Sequence, residues 1–288
     1  MGPTAAGKSE LGVALARAVG GEVVNADSMQ LYAGMDVGTA KLTEAEQQGV
    51  PHHLLSVWPV TRTATAADYQ AACRSVVDAL LAAGRTPVLV GGSGLYLRAA
   101  LDRMDFPGTD PALRALLEAE LGTGGALALH ARLAALSPEA AARMEPTNGR
   151  RTVRALEVVL LTGSMPGEMT SYDAHYDTAY VGVDRDDLAD RIALRVDRML
   201  AGGLVAEVQG LLPDLRDGVT ASRALGYAQV LGALDGQCSR AEARDLTVVA
   251  TRRFARRQRA WFRRDPRTTW LDGSLPPEQL LEQALAAT

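Results

Sequence analysis

Residues 2–9 read Gly2-Pro3-Thr4-Ala5-Ala6-Gly7-Lys8-Ser9. The spacing is G-x-x-x-x-G-K-[ST], and it runs directly into a helical pattern. Glycines let the backbone curl so that N–H groups point at phosphate oxygens. Lys8 adds a point charge, and the Ser9 hydroxyl can ligate Mg²⁺. An ordinary glycine-rich turn before a helix imitates part of this. Here Lys8 is one of only two lysines among 30 cationic residues, the other being Lys41. The reading is therefore a phosphate-binding loop over residues 2–9. Such a loop normally follows a buried strand, and only Met1 precedes it. The expectation is a parallel sheet whose first strand is missing at the N-terminus. A chain of low stability should follow, gaining in melting temperature when an apolar strand is restored upstream.

Outward from the loop, helical and strand patterns alternate. Leu11, Leu15 and Val19 recur at helical spacing before Gly20-Gly21. Glu22–Asn25 reads as a short buried strand, residues 66–83 as an amphipathic helix, and Thr86–Val90 as a fully buried strand. Further strands are predicted at Thr178–Val183 and Thr268–Leu271. Strands separated by helices predict an α/β fold with a parallel sheet. Over residues 107–145 the pattern changes to alanine- and leucine-rich helices. They open on Asp110-Pro111 and Ser137-Pro138, an N-cap followed by proline in each case. This predicts a small all-helical insertion at 107–145 within a core of 1–106 and 146–288. Two long helices are predicted near 186–213 and 239–264, the second opening on Ser239 and Glu242 at the spacing of a capping box.

With 288 residues, 47% of them hydrophobic, the chain can bury a core without staples and is not mainly disordered. No window approaches 18 uncharged apolar residues, and no secretory pattern opens the chain. Cys73 and Cys238 are far apart, which excludes a disulfide framework and a thiolate zinc site. A cytoplasmic monomer is the simplest expectation. The net charge of −4 argues, on its face, against a nucleic-acid partner. That total averages +7 over residues 252–267 and −11 over the rest. On a helix Arg252, Arg256, Arg259 and Arg263 share a face, where like charges repel until a phosphate partner arrives. Such a run is more often a solvated face.

Residues 25–41, NADSMQLYAGMDVGTAK, together with GPTAAGKS, resemble the tRNA dimethylallyltransferase (isopentenyl-tRNA transferase) family. The likeness continues in order along the chain. Pro51-His52-His53-Leu54 resembles PHHL, and residues 91–97, GGSGLYL, resemble GGTGLYL with Ser93 in place of Thr. Residues 150–158 resemble QR-x-x-RALEV, Arg223–Tyr227 resembles R-x-IGY, and residues 251–263 resemble TRQ-x-AKRQ-x-TWFR. Departures include Ala33, Leu55-Ser56, Thr147-Asn148-Gly149 and Ala260. The resemblance implies a P-loop NTPase-like core that transfers a dimethylallyl group from its diphosphate to N6 of adenine 37 in tRNA.

For that reaction the leaving group is diphosphate, so a phosphate loop serves without ATP. Gly2 to Ser9 would bind the diphosphate, with Ser9 on Mg²⁺. The resemblance makes Arg223 a second diphosphate clamp and Asp27 the acceptor of an N6 proton; by spacing alone Asp27 is equally an N-cap after a strand. Ser93 would place a hydroxyl near the diphosphate or the adenine, or else be a turn serine. Expected tRNA contacts are Asp27, Ser28, Met29 and Gln30 at the target base. Farther along the chain they are Arg114, Arg150, Arg151, Thr152, Val153 and Arg154, and then Arg252, Arg256, Arg257 and Gln258. The walls of an isoprenyl pocket are not assigned. His52-His53 lacks a third ligand at a metal spacing and reads as structural. Competing readings are an adenylate (AMP) dimethylallyltransferase, a P-loop small-molecule kinase, and a nucleotide-dependent RNA-binding switch. The first would not need the insertion or the basic helix. The kinase lacks an acid at the end of Thr86–Val90. The switch would not need Asp27.

Overall fold

Gly7 adopts φ +97°, a left-handed conformation that costs glycine little, and so turns the loop into α1 (Lys8–Ala18). The computed structural model describes residues 1–165 and 171–288, which form two compact units. Unit 1 comprises Met1–Arg103 and Ala174–Thr288, and unit 2 is Met104–Asp173.

In the first part of unit 1, α1 leads to β1 (Glu22–Asn25), α2 (Glu44–Gln47) and β2 (His52–His53). Then come α3 (Ala66–Ala82), β3 (Pro87–Val90) and α4 (Gly94–Leu101). β1 is central. It pairs in parallel with β2, Val23 opposite His52, and with β3, Asn25 opposite Val90. α3 opens on a capping box of Thr65 and Asp68 and buries Tyr69, Cys73, Val77 and Leu80, one stripe at helical spacing. Each such side chain stabilises by about 1.5–3 kcal/mol. The Tyr69 ring stacks on Tyr96 at 4.6 Å, and its hydroxyl donates to the Asn25 carbonyl, fixing α3 and α4 against the end of β1. Gly91 permits the turn after β3, because a Cβ there would meet the Ala26 backbone at 2.2 Å.

Unit 2 contains α5 (Pro111–Leu136), α6 (Pro138–Ala142) and α7 (Gly149–Thr162). Asp110 and Ser137 cap α5 and α6 as their sequences predict, and Gly125 kinks α5. The unit is longer than the expected 107–145. The reason is α7, whose Val153, Leu156 and Val159 share one apolar cluster with Leu117, Leu129 and Leu133 of α5. Asn148 caps α7 by accepting from the Arg151 amide. Glu157, fully enclosed, takes Arg114 and Arg154.

The chain re-enters unit 1 beside the point it left: Asp102 bridges Ala174, and the His175 amide donates to Leu101 at 2.7 Å. There follow β4 (Tyr180–Asp184), α8 (Leu188–Ala201), α9 (Leu204–Gly210), α10 (Asp214–Asp217) and a 3₁₀ turn at Ala221–Arg223. The unit ends with α11 (Tyr227–Leu234), α12 (Arg240–Phe262), β5 (Thr268–Asp272) and α13 (Pro277–Ala286). The single helix expected near 186–213 is broken by Gly202-Gly203, with Gly203 at φ +100°. α12 begins on its predicted capping box. β4 and β5 pair in parallel as a second small sheet.

The two sheets are not hydrogen-bonded to each other. Between β3 and β4 lies a cavity of about 510 Å³, lined by apolar residues including Leu11, Leu15, Val88, Leu97 and Val181. β3, expected to be fully buried, is therefore half-buried along its length. Met1, ahead of the loop, lines this cavity. Met1 alone pairs there: its amino group donates to Val181 at 2.7 Å, and the Val183 amide donates to its carbonyl at 2.8 Å.

Candidate active site

The loop ends at an uncapped helix. Gly7 offers α1 no side-chain cap, so the first-turn amides are left for another acceptor. Lys8 donates to the Pro3 carbonyl at 2.6 Å, across the loop's own curl. Burial, and then the neighbouring Arg195, lower the Lys8 ammonium to about 8, against the opposing pull of Asp27 and Glu10. The loop is braced from a distance. The Thr4 amide donates to Gln258 at 2.9 Å, Gln258 in turn donates to Gly92 at 2.8 Å, and Arg191 donates to the Ala5 carbonyl at 2.8 Å.

Asp27 stands just past β1. The Asn25 side chain accepts from the Asp27 amide and donates to the Asp27 and Leu54 carbonyls. One carboxylate oxygen of Asp27 accepts the Met29 amide at 3.0 Å. Ser93 accepts the Ser28 amide at 3.0 Å. It lines neither cavity described next, and its hydroxyl also bonds the Ser28 hydroxyl at 3.2 Å.

Two cavities meet at this turn. The smaller, about 50 Å³, is lined by Thr4, Lys8, Ser9, Asp27 and Arg195, with Asn25, Gln30, His52 and Gln258 and the apolar Val23, Leu42, Leu55 and Val90 around them. The larger, about 300 Å³, has an apolar wall of Ile192, Val196, Met199, Leu225 and Phe254, with Arg223 and Arg257 on it. Among the described residues, Thr4, Asp27 and Arg195 alone line both. A phosphate-sized polar site thus adjoins an apolar one, with a carboxylate and a guanidinium at the junction. Arg223 belongs to the apolar side. Arg195 was missed in the sequence, where 28 arginines hide any one of them. Its signal was local: it follows Ile192 by three residues on the face of α8 that buries Ile192 and Val196.

The expected tRNA contacts separate into groups. Ser28 and Met29 line the larger cavity and Gln30 the smaller, where its amide donates to Thr39 at 3.1 Å. Arg150, Arg151, Arg256 and Arg257 are exposed. Thr152 and Val153 are 0% and 3% exposed in the core of unit 2 and are not surface contacts. Arg114 and Arg154 are engaged by Glu157. Gln258 is 6% exposed, with both ends of its amide used as a brace, so it too is no surface contact. Arg252 donates to the Ala189 carbonyl. The repulsive face expected on α12 is partly neutralised, because Arg259 and Arg263 both bond Asp184, at 2.7 and 3.0 Å. His52 bonds the Val50 carbonyl and His53 bonds Glu22, structural contacts both. Lys41 bonds Asp36 and Ser56, which gives the departure at Ser56 a partner.

Among the described residues, no cluster of three or more His, Cys, Asp or Glu could hold a metal. The Ser9 hydroxyl beside Lys8 in the smaller cavity suits Mg²⁺ of another kind, one that draws most of its oxygen shell from a diphosphate and water.

Loop, uncapped helix start and adjoining apolar cavity thus come together in one place in unit 1. The model of the IPP transferase family matches residues 30–265, and the chain belongs to that family. It is 62% identical to the tRNA dimethylallyltransferase of Streptomyces coelicolor over 279 residues, covering 96% of this chain and 89% of that one. The corresponding Thermobifida fusca protein is 60% identical, over 99% of this chain and 92% of its own. Among solved structures, the tRNA isopentenylpyrophosphate transferase of Bacillus halodurans superposes with a TM-score of 0.72 at 37% identity, over 98% and 92% of the two chains. That of Staphylococcus epidermidis gives 0.74 at 30%, over 99% and 96%.

Proposed function

We propose that this enzyme transfers the dimethylallyl group of dimethylallyl diphosphate to N6 of adenine 37 in tRNA, releasing diphosphate. The observation that carries the reading is the junction of the two cavities, where Asp27 lies between a phosphate loop and an apolar wall. The amides at the start of α1 and Lys8 hold the diphosphate. The apolar wall takes the hydrocarbon and the base stacked against it, the base having been extruded from the anticodon loop. The adenine N6 lone pair is delocalised and poorly nucleophilic, so a carboxylate that accepts an N6 proton raises its reactivity. Asp27 is held for that task by the Asn25 and Met29 contacts. The N6 lone pair forms the new bond to C1, the C1–O pair departs with the diphosphate, and the proton goes to Asp27. Mg²⁺ bound at Ser9 would offset negative charge on the diphosphate. Arg223 lies on the apolar cavity, where it would meet the substrate's outer side. The exposed Arg150, Arg151, Arg256 and Arg257 supply phosphate contacts to tRNA. We place the enzyme in the cytoplasm as a monomer; no helix among the described residues is long and apolar enough to cross a membrane.

Incubation with Mg²⁺, labelled dimethylallyl diphosphate and either unmodified tRNA or AMP tests the reading. Label should enter tRNA at adenine 37. Label entering AMP alone, or ATP turnover without transfer, would overturn it.

A further inference from the structure

Glu207, on α9, gathers two segments that are far apart in sequence. Its carboxylate accepts the backbone amides of Asp36, Val37 and Gly38 at 2.9, 2.6 and 3.0 Å, and also the Tyr227 hydroxyl. The first segment runs on through Gly38 and Thr39, which line the larger cavity. The second is Arg223–Tyr227, of which Arg223, Ala224 and Leu225 line the same cavity. Oxygen Oε1 takes one donor from each, Gly38 and Tyr227. We propose that Glu207 is a positioning residue: it fixes the spacing of these two lining segments and so limits the length of hydrocarbon that the cavity accepts. This rests on the prenyl-transfer reading of the site.

Three observations support it. First, the carboxylate is a tie between segments. Three consecutive amides aimed at one acceptor form a concave anion site, and bonds to an ionised acceptor are roughly twice as strong as neutral ones. Burial, and then the bond to Glu207, push the Tyr227 hydroxyl well up, so it stays a donor. Second, the tied parts touch without slack. A Cβ on Gly38 would meet Tyr227 Cε2 at 2.4 Å and Leu204 Cδ1 at 2.7 Å, and Tyr227 itself is fully buried. Third, the loop is held at a second point. Lys41 donates to the Tyr32 carbonyl at 2.5 Å and to the Asp36 carboxylate and the Ser56 hydroxyl at 2.7 Å each. An ammonium has three donors, and all are used here. Thr39 is anchored in turn: its hydroxyl donates to the Met35 carbonyl at 2.6 Å, and its carbonyl takes Gln30 at 3.1 Å. Widening the cavity at Gly38 therefore requires the Glu207 bonds to break. A hydrocarbon longer by one isoprene unit asks for that room, whereas the dimethylallyl group does not.

The test compares the wild type with Glu207→Ala, Glu207→Gln and Tyr227→Phe, each checked for folding by thermal melts. Dimethylallyl diphosphate and geranyl diphosphate, one isoprene unit longer, are offered as donors to unmodified tRNA. Glu207→Ala should narrow the preference for dimethylallyl diphosphate, read as a ratio of kcat/KM values, by about tenfold or more. Glu207→Gln keeps one acceptor oxygen and should be intermediate. Tyr227→Phe cuts the tie to the second segment alone and should narrow the preference as well. Inhibition by inorganic diphosphate should change by less than about threefold in all of them, because the loop at residues 2–9 is untouched. A folded Glu207→Ala protein that loses turnover with both donors in equal proportion would overturn the assignment, since that marks a structural role. So would an unchanged preference in Tyr227→Phe, and these two milder variants decide the matter if the alanine variant does not fold. Should the wild type prenylate tRNA with neither donor, the underlying reading falls. Hydrogen exchange at the Val37 and Gly38 amides then still decides whether Glu207 holds the loop, and equal exchange in the wild type and Glu207→Gln overturns it.

Discussion

Asp27 divides its carboxylate between two tasks. One oxygen caps the Met29 amide, and the residue still borders both cavities. Asp27→Ala should therefore lower turnover by about two to four orders of magnitude, with the dissociation constant for tRNA nearly unchanged in a filter-binding titration. By spacing alone Asp27 reads equally as an N-cap after a strand, and its carboxylate does accept the Met29 amide; only the family resemblance singles it out for chemistry. Gln258 was legible only as part of a motif. Its side chain reaches Thr4, 254 positions away, and no local pattern announces such a pairing. Removing it strands the part-buried Thr4 amide and the buried Gly92 carbonyl, the latter costing about 1–3 kcal/mol when unpaired. Gln258→Ala should lower the melting temperature and raise the KM for dimethylallyl diphosphate. It should leave tRNA affinity as it is, the reverse of what a surface contact would do.

At the scale of elements, α12 combines a brace and a binding face. Arg259 and Arg263 are spent on Asp184, whereas Arg256 and Arg257 are exposed. Charge counting along the sequence could find all of them but could not sort them. The sorting depends on Asp184, which ends a strand some 75 residues earlier. Replacing Arg256 or Arg257 by Ala should reduce the slope of log affinity for tRNA against log salt by about one each. Replacing Arg259 should mainly lower the melting temperature. In unit 2 the helices α5 and α7 are pinned through Glu157. Burial pushes its carboxyl up, but the bonds from Arg114 and Arg154 outweigh that and hold it below the usual value. Its pKa is lower folded than unfolded, so it stabilises fully above about pH 4.5. That contribution is lost as pH falls through the folded value. Melts from pH 7 to 3 should show the wild type's advantage over Glu157→Gln shrinking in that range. The burial of Thr152 and Val153 was readable too: with Leu156 and Val159 they repeat at i, i+1, i+4 and i+7, one face of α7.

At the scale of the whole molecule, the alternation of helix and strand predicted a parallel α/β core, and β1 with its two neighbours is that core. Its division into two small sheets was not read from the sequence, whose alternation predicted one. The insertion's extent was misjudged because α7 carries family motifs that drew it toward the catalytic core, while its apolar face belongs with α5. Unit 2 is one continuous stretch, whereas unit 1 is assembled from two stretches separated by 70 residues. This has a consequence for the order of events during folding. Local contacts form quickly, and contacts across a long loop wait for its closure. Met1, Thr4 and Ala5 take their partners from Val181, Val183, Gln258 and Arg191, all beyond the insertion. The phosphate loop, made well before the segments that hold it, is thus among the last parts to reach its final shape, and a half-made chain carries the motif without the site.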